Sequence, residues 1–302
     1  MLSIISRELS EMKSWNPLLK PREQTFGSGN GPLGLQERSP GTVDARLNST
    51  GYSDSIDFTK SAPPDTTAPT GNNALMTIDD VVMRTAFTLA MVVLGAVLAW
   101  TTLPVDEENL GPSYATAFGA ALVATVVALI QAFKSKPSPA LILSYAALEG
   151  VFLGVISNTV STYIEPGVVV QTVIGTMAVF AGVLIAYRLR WIRITGRFYN
   201  FIVSATLGFV ILAITNLLFA AFGGGDGLGF HSGWLGVLFG IAGLLLGAAF
   251  LAIDFKQAED GVAAGAPREQ SWLSAFGLTL SLVWIYLEIL QILTLVGGDD
   301  LL

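Results

Sequence analysis

Three carboxylates stand inside long apolar stretches of this chain: Glu149, Asp254 and Glu288. Glu288 lies in Trp284-Ile285-Tyr286-Leu287-Glu288-Ile289-Leu290-Gln291. Around it run about 20 residues of otherwise apolar helix, the length of a membrane span. An ionisable group at such a place is expensive, and by default it is a functional feature. Steps of three and four residues from Glu288 reach Ser274, Gly277, Ser281, Trp284 and Gln291, so the small and polar groups share the acid's face. Leu282, Val283, Tyr286, Leu290 and Leu293 supply most of the opposite face, with Thr279 among them. The acid's face asks for protein or water beside it rather than lipid.

Asp254 follows a stripe of Gly236, Gly240, Gly243 and Gly247 that falls on one helical face with it. Such a stripe lets a neighbouring helix come close. Asp254 is expected at the cytoplasmic end of that seam, just before Phe255, Lys256 and Gln257, and the plain alternative is a solvated helix end. Glu149, in Leu148-Glu149-Gly150, comes roughly ten residues into its span, near mid-membrane at about 1.5 Å per residue. Tyr145 and Ser157 share its general face, and Asn158 and Gln171 are further polar groups nearby in sequence. Its plain alternative is a protonated carboxyl hydrogen-bonded to a neighbouring helix.

No Lys or Arg lies within the membrane among these acids. Desolvation and mutual repulsion favour protonated carboxyls, and two placed side by side share a proton and titrate as a pair. Once ionised they form a hard-oxygen site suited to calcium. The residues alone thus suggest a proton-controlled cation pathway among these three acids.

The elements that must position these acids are membrane helices. Of 302 residues, 52% are hydrophobic and 13% charged, with a mean hydropathy of +0.61, which places the chain among polytopic membrane proteins. Seven spans are expected at 83–103, 113–133, 139–162, 168–188, 199–222, 233–254 and 273–297. Thr77 with Asp79 and Asp80 suits the start of the first helix. With these spans all 16 Lys and Arg fall on the side of the N-terminus. The opposite loops and the C-terminus carry Asp106, Glu107, Glu108, Glu165, Asp226, Asp299 and Asp300 and no basic residue. The positive-inside rule then predicts a plasma or inner membrane protein with its N-terminus in the cytoplasm and its C-terminus outside. Residues 1–76 precede the domain as a polar arm. Between Gln24 and Asn73 it is too poor in large apolar residues to fold, and disorder is expected. Met12-Lys13-Ser14-Trp15-Asn16-Pro17 within it suggests a short docking or membrane-surface segment, with a solvated tail as the simpler reading.

Several function classes are disfavoured. There is no cysteine and one histidine, His231, which leaves no thiol nucleophile, no Cys or His metal cluster and no ready Ser-His mechanism. No basic belt points to nucleic acid, and Met1–Ser10 does not read as a cleavable signal. The last span lacks a lysine for a retinal Schiff base. The Arg188–Arg197 cluster with Trp191 reads as an interface anchor, or as a site for anionic lipid. No internal repeat is evident, which weakens a transporter built from inverted halves. No enzyme and no cofactor is expected.

Ala252-Ile253-Asp254-Phe255-Lys256-Gln257, followed by Trp284-Ile285-Tyr286-Leu287-Glu288-Ile289-Leu290, resembles the paired sixth- and seventh-helix motifs of the Bax inhibitor-1 family, also called the transmembrane Bax inhibitor motif or YccA-like family. Tyr145 to Gly150, with Gly154, looks like its bacterial members. So does Met12-Lys13-Ser14 with Asn16-Pro17, which makes Met12 an expected start. The resemblance spans about 76–300. It implies a seven-helix membrane fold with the last helix central and a pH-sensitive calcium leak. In that mechanism Asp254 and Glu288 hydrogen-bond to each other as the gate and are the candidate calcium ligands; Gln257, Gln291, Ser281 and Lys134 stand as supporting residues. This chain departs from the pattern with Glu at 288, a longer loop between the two acids, and only a loose match at Lys134. The expected depths of the two acids also differ, so the seventh helix must start late or bend for them to meet. Two rival functions remain open: a non-conducting regulatory partner of a membrane protease or stress machinery, and a proton-coupled transporter.

Overall fold

A computed structural model describes residues 74–134, 136–223, 228–230 and 232–297. The arm up to residue 73, with its expected disorder and its Met12 start, lies outside the described residues, as do Asp226, His231, Asp299 and Asp300. Seven α-helices account for nearly all of the described chain: α1 Ile78–Thr102, α2 Leu110–Phe133, α3 Pro139–Tyr163, α4 Val168–Arg188, α5 Gly196–Gly223, α6 Gly233–Ala263 and α7 Ser271–Gly297. All seven are long and apolar enough to cross a membrane.

The ends of these helices follow local chemistry. Thr77 caps α1 through a box in which its side chain accepts from Asp80 N–H and the Asp80 carboxylate accepts from the Thr77 backbone. The helix therefore starts at Ile78, five residues before the apolar run suggested. Pro139 opens α3 at a position where no intrahelical donor is needed. The largest difference from expectation is at α6, which was expected to end at Asp254 and runs on to Ala263. The polar residues after Asp254 do not stop a helix that has left the apolar layer. Lys256 pairs with Asp260 one turn on, and the stop comes at Gly265, which takes φ +67°. Gly265 N–H bonds to Val262 C=O and Ala266 N–H to Gly261 C=O, a Schellman closure that needs the left-handed residue glycine supplies.

α7 is the central helix, packed against α1, α3, α4 and α6. Both of its faces are covered: Leu282, Val283, Leu290 and Thr279, opposite the acid, are all buried. α2 packs mainly on α3, and α5 mainly on α6. The tightest crossing is α1 on α3. A methyl group at Gly150 would run into the Val92 carbonyl and lie 3.0 Å from Gly95 Cα, and one at Gly154 would meet Ala96. Backbone lies on backbone there, as small residues permit in membranes. A buried hydroxyl pair, Thr88 with Thr279 at 2.8 Å, links α1 to α7.

One end of the bundle is fastened to the chain that enters it. Leu75 forms an isolated antiparallel bridge with Pro267, Met76 N–H bonds to Ala266 C=O and Arg268 N–H to Ala74 C=O. Arg268 also pairs with Asp80 at 2.8 Å, while Arg84 donates to Arg268 C=O at 2.7 Å and lies over the Trp272 ring at 5.0 Å. The start of α1 and the α6–α7 connection thus share one end of the bundle.

Gly150→Ala should destabilise the domain by about 1–3 kcal/mol, the usual cost of overpacking. Gly182, where an added methyl meets nothing within 4 Å, should accept Ala without loss. Melting temperatures of the two purified variants in detergent check this.

Candidate functional site

The site is the seam between α6 and α7, which run antiparallel. Three glycines of the α6 stripe each face one α7 side chain. Gly240 faces Ile292, Gly243 faces the Glu288 carboxyl, and Gly247 faces Ile285. A Cβ at Gly243 would overlap Glu288, so the acid occupies the notch that the missing side chain leaves. The relation is reciprocal further along the seam. Asp254 of α6 lies against Gly277 of α7, where an added Cβ would be 2.7 Å from Asp254 Oδ1.

Each carboxyl has its own donor. Ser281 Oγ donates to Asp254 Oδ2 at 2.5 Å. Trp284 Nε1 donates to Glu288 Oε1 at 2.9 Å, the pairing that an i,i+4 spacing on one helix allows. The indole is held from two other helices: its ring lies 6.3 Å from Phe250 of α6 and 5.9 Å from Phe209 of α5. Phe209 in turn stacks on Phe239 at 4.2 Å. Glu288 Oε2 is buried with no hydrogen-bond partner among the described residues, and so is Gln291 Nε2 one turn further on.

The direct Asp254–Glu288 hydrogen bond implied by the family resemblance is absent from this structure. The partners of Asp254 on α7, Gly277 and Ser281, precede Glu288 by eleven and seven residues. At 1.5 Å per residue that is about 10–16 Å along the helix. The reason is the length of α6: because it continues nine residues beyond Asp254, the return into α7 begins well past the acid. The position opposite Asp254 is therefore Ser281, not Glu288. α7 starts at Ser271, two residues before the expected limit, so no late start brings the acids together. A single calcium ion bridged by both is not built into this arrangement. Among the described residues no group of three or more His, Cys, Asp and Glu side chains is placed to hold a metal ion.

Glu149 stands off the seam, partly buried on α3. It makes no hydrogen bond or ion pair among the described residues, and it follows by one turn Tyr145, whose ring meets Phe276 of α7 edge-on at 5.3 Å. Gln257 is exposed on the projecting turns of α6, and Lys134 is exposed at the C-terminal cap of α2. Neither reaches the seam.

Three polar features escaped the reading of the chain. Ser157 and Tyr286 share a hydroxyl hydrogen bond of 2.7 Å between α3 and α7. Tyr286 stood on the face opposite Glu288, where only a partner on another helix could reveal its role. Thr88 and Thr279 are a second such pair. The link between residues 74–76 and the α6–α7 connection had a local signal only in the charges of Asp80 and Arg268.

A family model described as Bax inhibitor 1 like matches residues 20–298. No curated protein matches the chain.

Because the two acids have separate partners, Asp254→Asn and Glu288→Gln should act independently on stability. The double variant should match the sum of the singles within about 0.5 kcal/mol. Trp284→Phe combined with Glu288→Gln should instead be non-additive by about 0.5–3 kcal/mol, as contacting groups are. Reversible unfolding of the five variants and the wild type measures both.

Proposed function

The chain belongs to the Bax inhibitor 1 like family, and from that premise we propose that it is a cation leak, with calcium as the ion, whose rate is set by proton occupancy of Glu288 and Asp254. The observation that carries the reading is the Glu288 carboxyl in the α6–α7 seam, seated on Gly243 with one oxygen lacking a donor. The seam gives the two acids only uncharged donors, the Trp284 indole and the Ser281 hydroxyl. The basic residue nearest Asp254 in sequence, Lys256, is engaged by Asp260.

A neutral carboxyl can stay in such a closed seam. An ionised one needs water or a cation beside it, because an unpaired charge out of water is costly. Loss of the proton therefore favours a hydrated seam, and a hydrated carboxylate is a ligand for a hard cation. In this mechanism Glu288 and Asp254 act as two single-carboxylate stations in succession rather than as one chelating pair. Glu149 lies outside that line and is a secondary acid. The aromatic group around Trp284 ties α5 to the same point, so opening the seam at Glu288 would displace α5 with it. No bond-making chemistry is assigned to the protein. The distribution of Lys and Arg supports a cell-membrane location with the N-terminus in the cytoplasm.

A second reading is favoured by one feature, the pairing of residues 74–76 with the α6–α7 connection. It joins the polar arm directly to the turn between the two seam helices. A regulatory partner of a membrane protease or of stress machinery would use such an arm to receive or pass on a signal.

Calcium flux into liposomes holding the purified protein should rise as the pH is stepped from 6 to 8. Glu288→Gln should remove most of that dependence, and Asp254→Asn should weaken it. Flux indistinguishable from empty liposomes at every pH would overturn the leak. The regulatory reading would then be tested by pull-down with and without residues 1–73, where loss of a stoichiometric partner on truncation supports it.

A further inference from the structure

A cavity of about 470 Å³ lies on the far side of α7 from the acidic seam, between α1 and α4. These two helices flank it without being principal packing partners, since α1 packs on α3 and α7 while α4 packs on α7 and α6. The walls are Val93 and Val97 of α1 and Val173 and Met177 of α4, with Ser157 of α3 and Tyr286 of α7 at the floor. The four wall residues are each about half exposed, so the cavity is open sideways. In a membrane helix bundle that opening faces hydrocarbon.

Water is a poor occupant. The two hydroxyls at the floor already bond to each other at 2.7 Å, and the Thr176 hydroxyl is spent on the Thr172 carbonyl. A water molecule needs two to four polar partners, and apolar cavities stay dry. The dimensions point to one kind of apolar occupant. The cleft follows α1 from Leu89 to Thr101, twelve residues or about 18 Å of helix, against about 15 Å for one leaflet of a 30 Å hydrocarbon core. It runs along the helices, as a lipid chain does, and stays within one half of the span. Its outer end has Trp100, the amphipathic aromatic type of residue found where chains give way to headgroups.

We propose that this cleft is a binding site for one acyl chain of a membrane phospholipid, held between α1 and α4 against α7. The headgroup would lie at the end of the bundle whose loops carry Asp106, Glu107, Glu108 and Glu165 and no Lys or Arg. The site therefore selects by its chain and disfavours anionic headgroups. A chain seated there touches α7 at Val283 and Tyr286, on the face turned away from Glu288, so the lipid and the acids grip opposite sides of one helix.

Native mass spectrometry of the detergent-purified full chain, titrated with dioleoyl phosphatidylethanolamine, tests this. The wild type should hold one phospholipid that survives delipidation, and dioleoyl phosphatidylglycerol should compete poorly. Val97→Trp and Val173→Trp fill the cleft from opposite walls and should each lose the bound lipid. Leu207→Trp, on the exposed face of α5, should keep it. A diazirine-bearing phosphatidylcholine on the wild type should leave its adducts on Val93, Val97, Val173 and Met177 in preference to α5, and this arm holds even if a filled variant does not fold. No retained lipid, retention unchanged in both filled variants, or adducts spread evenly over the lipid-facing helices would overturn the proposal. So would co-purification of a non-phospholipid molecule in the cleft.

Discussion

A carboxyl group can sit deep in an apolar helix only where a neighbouring helix leaves room for it and something donates to it. In this chain the room is made by glycine. Gly243 gives the notch for Glu288 and Gly277 the notch for Asp254, while Trp284 and Ser281 provide the donors from α7 itself. The rest of the bundle follows from holding α6 and α7 close enough for those notches to work. Gly240 and Gly247 seat Ile292 and Ile285 on either side of Glu288, fixing the register of the seam.

The opposite face of α7 meets a different demand. There the contacts with α1 are apolar apart from Thr88 with Thr279 and Arg84 over the Trp272 ring, and those with α3 apart from Ser157 with Tyr286. In a medium without water, a hydroxyl finds its partner on another helix or returns to its own backbone. The backbone-to-backbone contact of Gly95 with Gly150 brings α1 and α3 together as one layer, and α7 packs on both. The central helix is thus clasped on one side by a glycine seam that admits charge and on the other by hydroxyl pairs that do not.

The fold was legible to the extent that it depends on hydropathy and charge. Seven apolar runs, and the fall of every Lys and Arg on the side of the N-terminus when those runs are taken as spans, are one-dimensional signals, and α4 begins and ends where its run does. The glycine stripe on α6 was legible as a close-packing face for the same reason. What hydropathy could not show is where a helix stops once it has left the membrane. α6 extends to Ala263 because nothing before Gly265 breaks it. That extension decides which residues of α7 lie opposite Asp254.

The identity of the acids was therefore readable and their geometry was not. Spacing in sequence placed Ser281, Trp284 and Gln291 on the face of Glu288, but it could not say that Ser281 serves the other acid. Antiparallel helices convert a longer connection into a displacement along the seam. The same two acids, on helices joined by a tighter turn, would meet face to face. Here they stand about 10–16 Å apart along the axis, each closed in by the glycine of the other helix. Two separated carboxyls can lose protons one at a time, without the repulsion that makes adjacent carboxyls titrate as a pair. The length of the polar helix end beyond Asp254 thus decides whether the seam holds one coupled acidic pair or two independent stations.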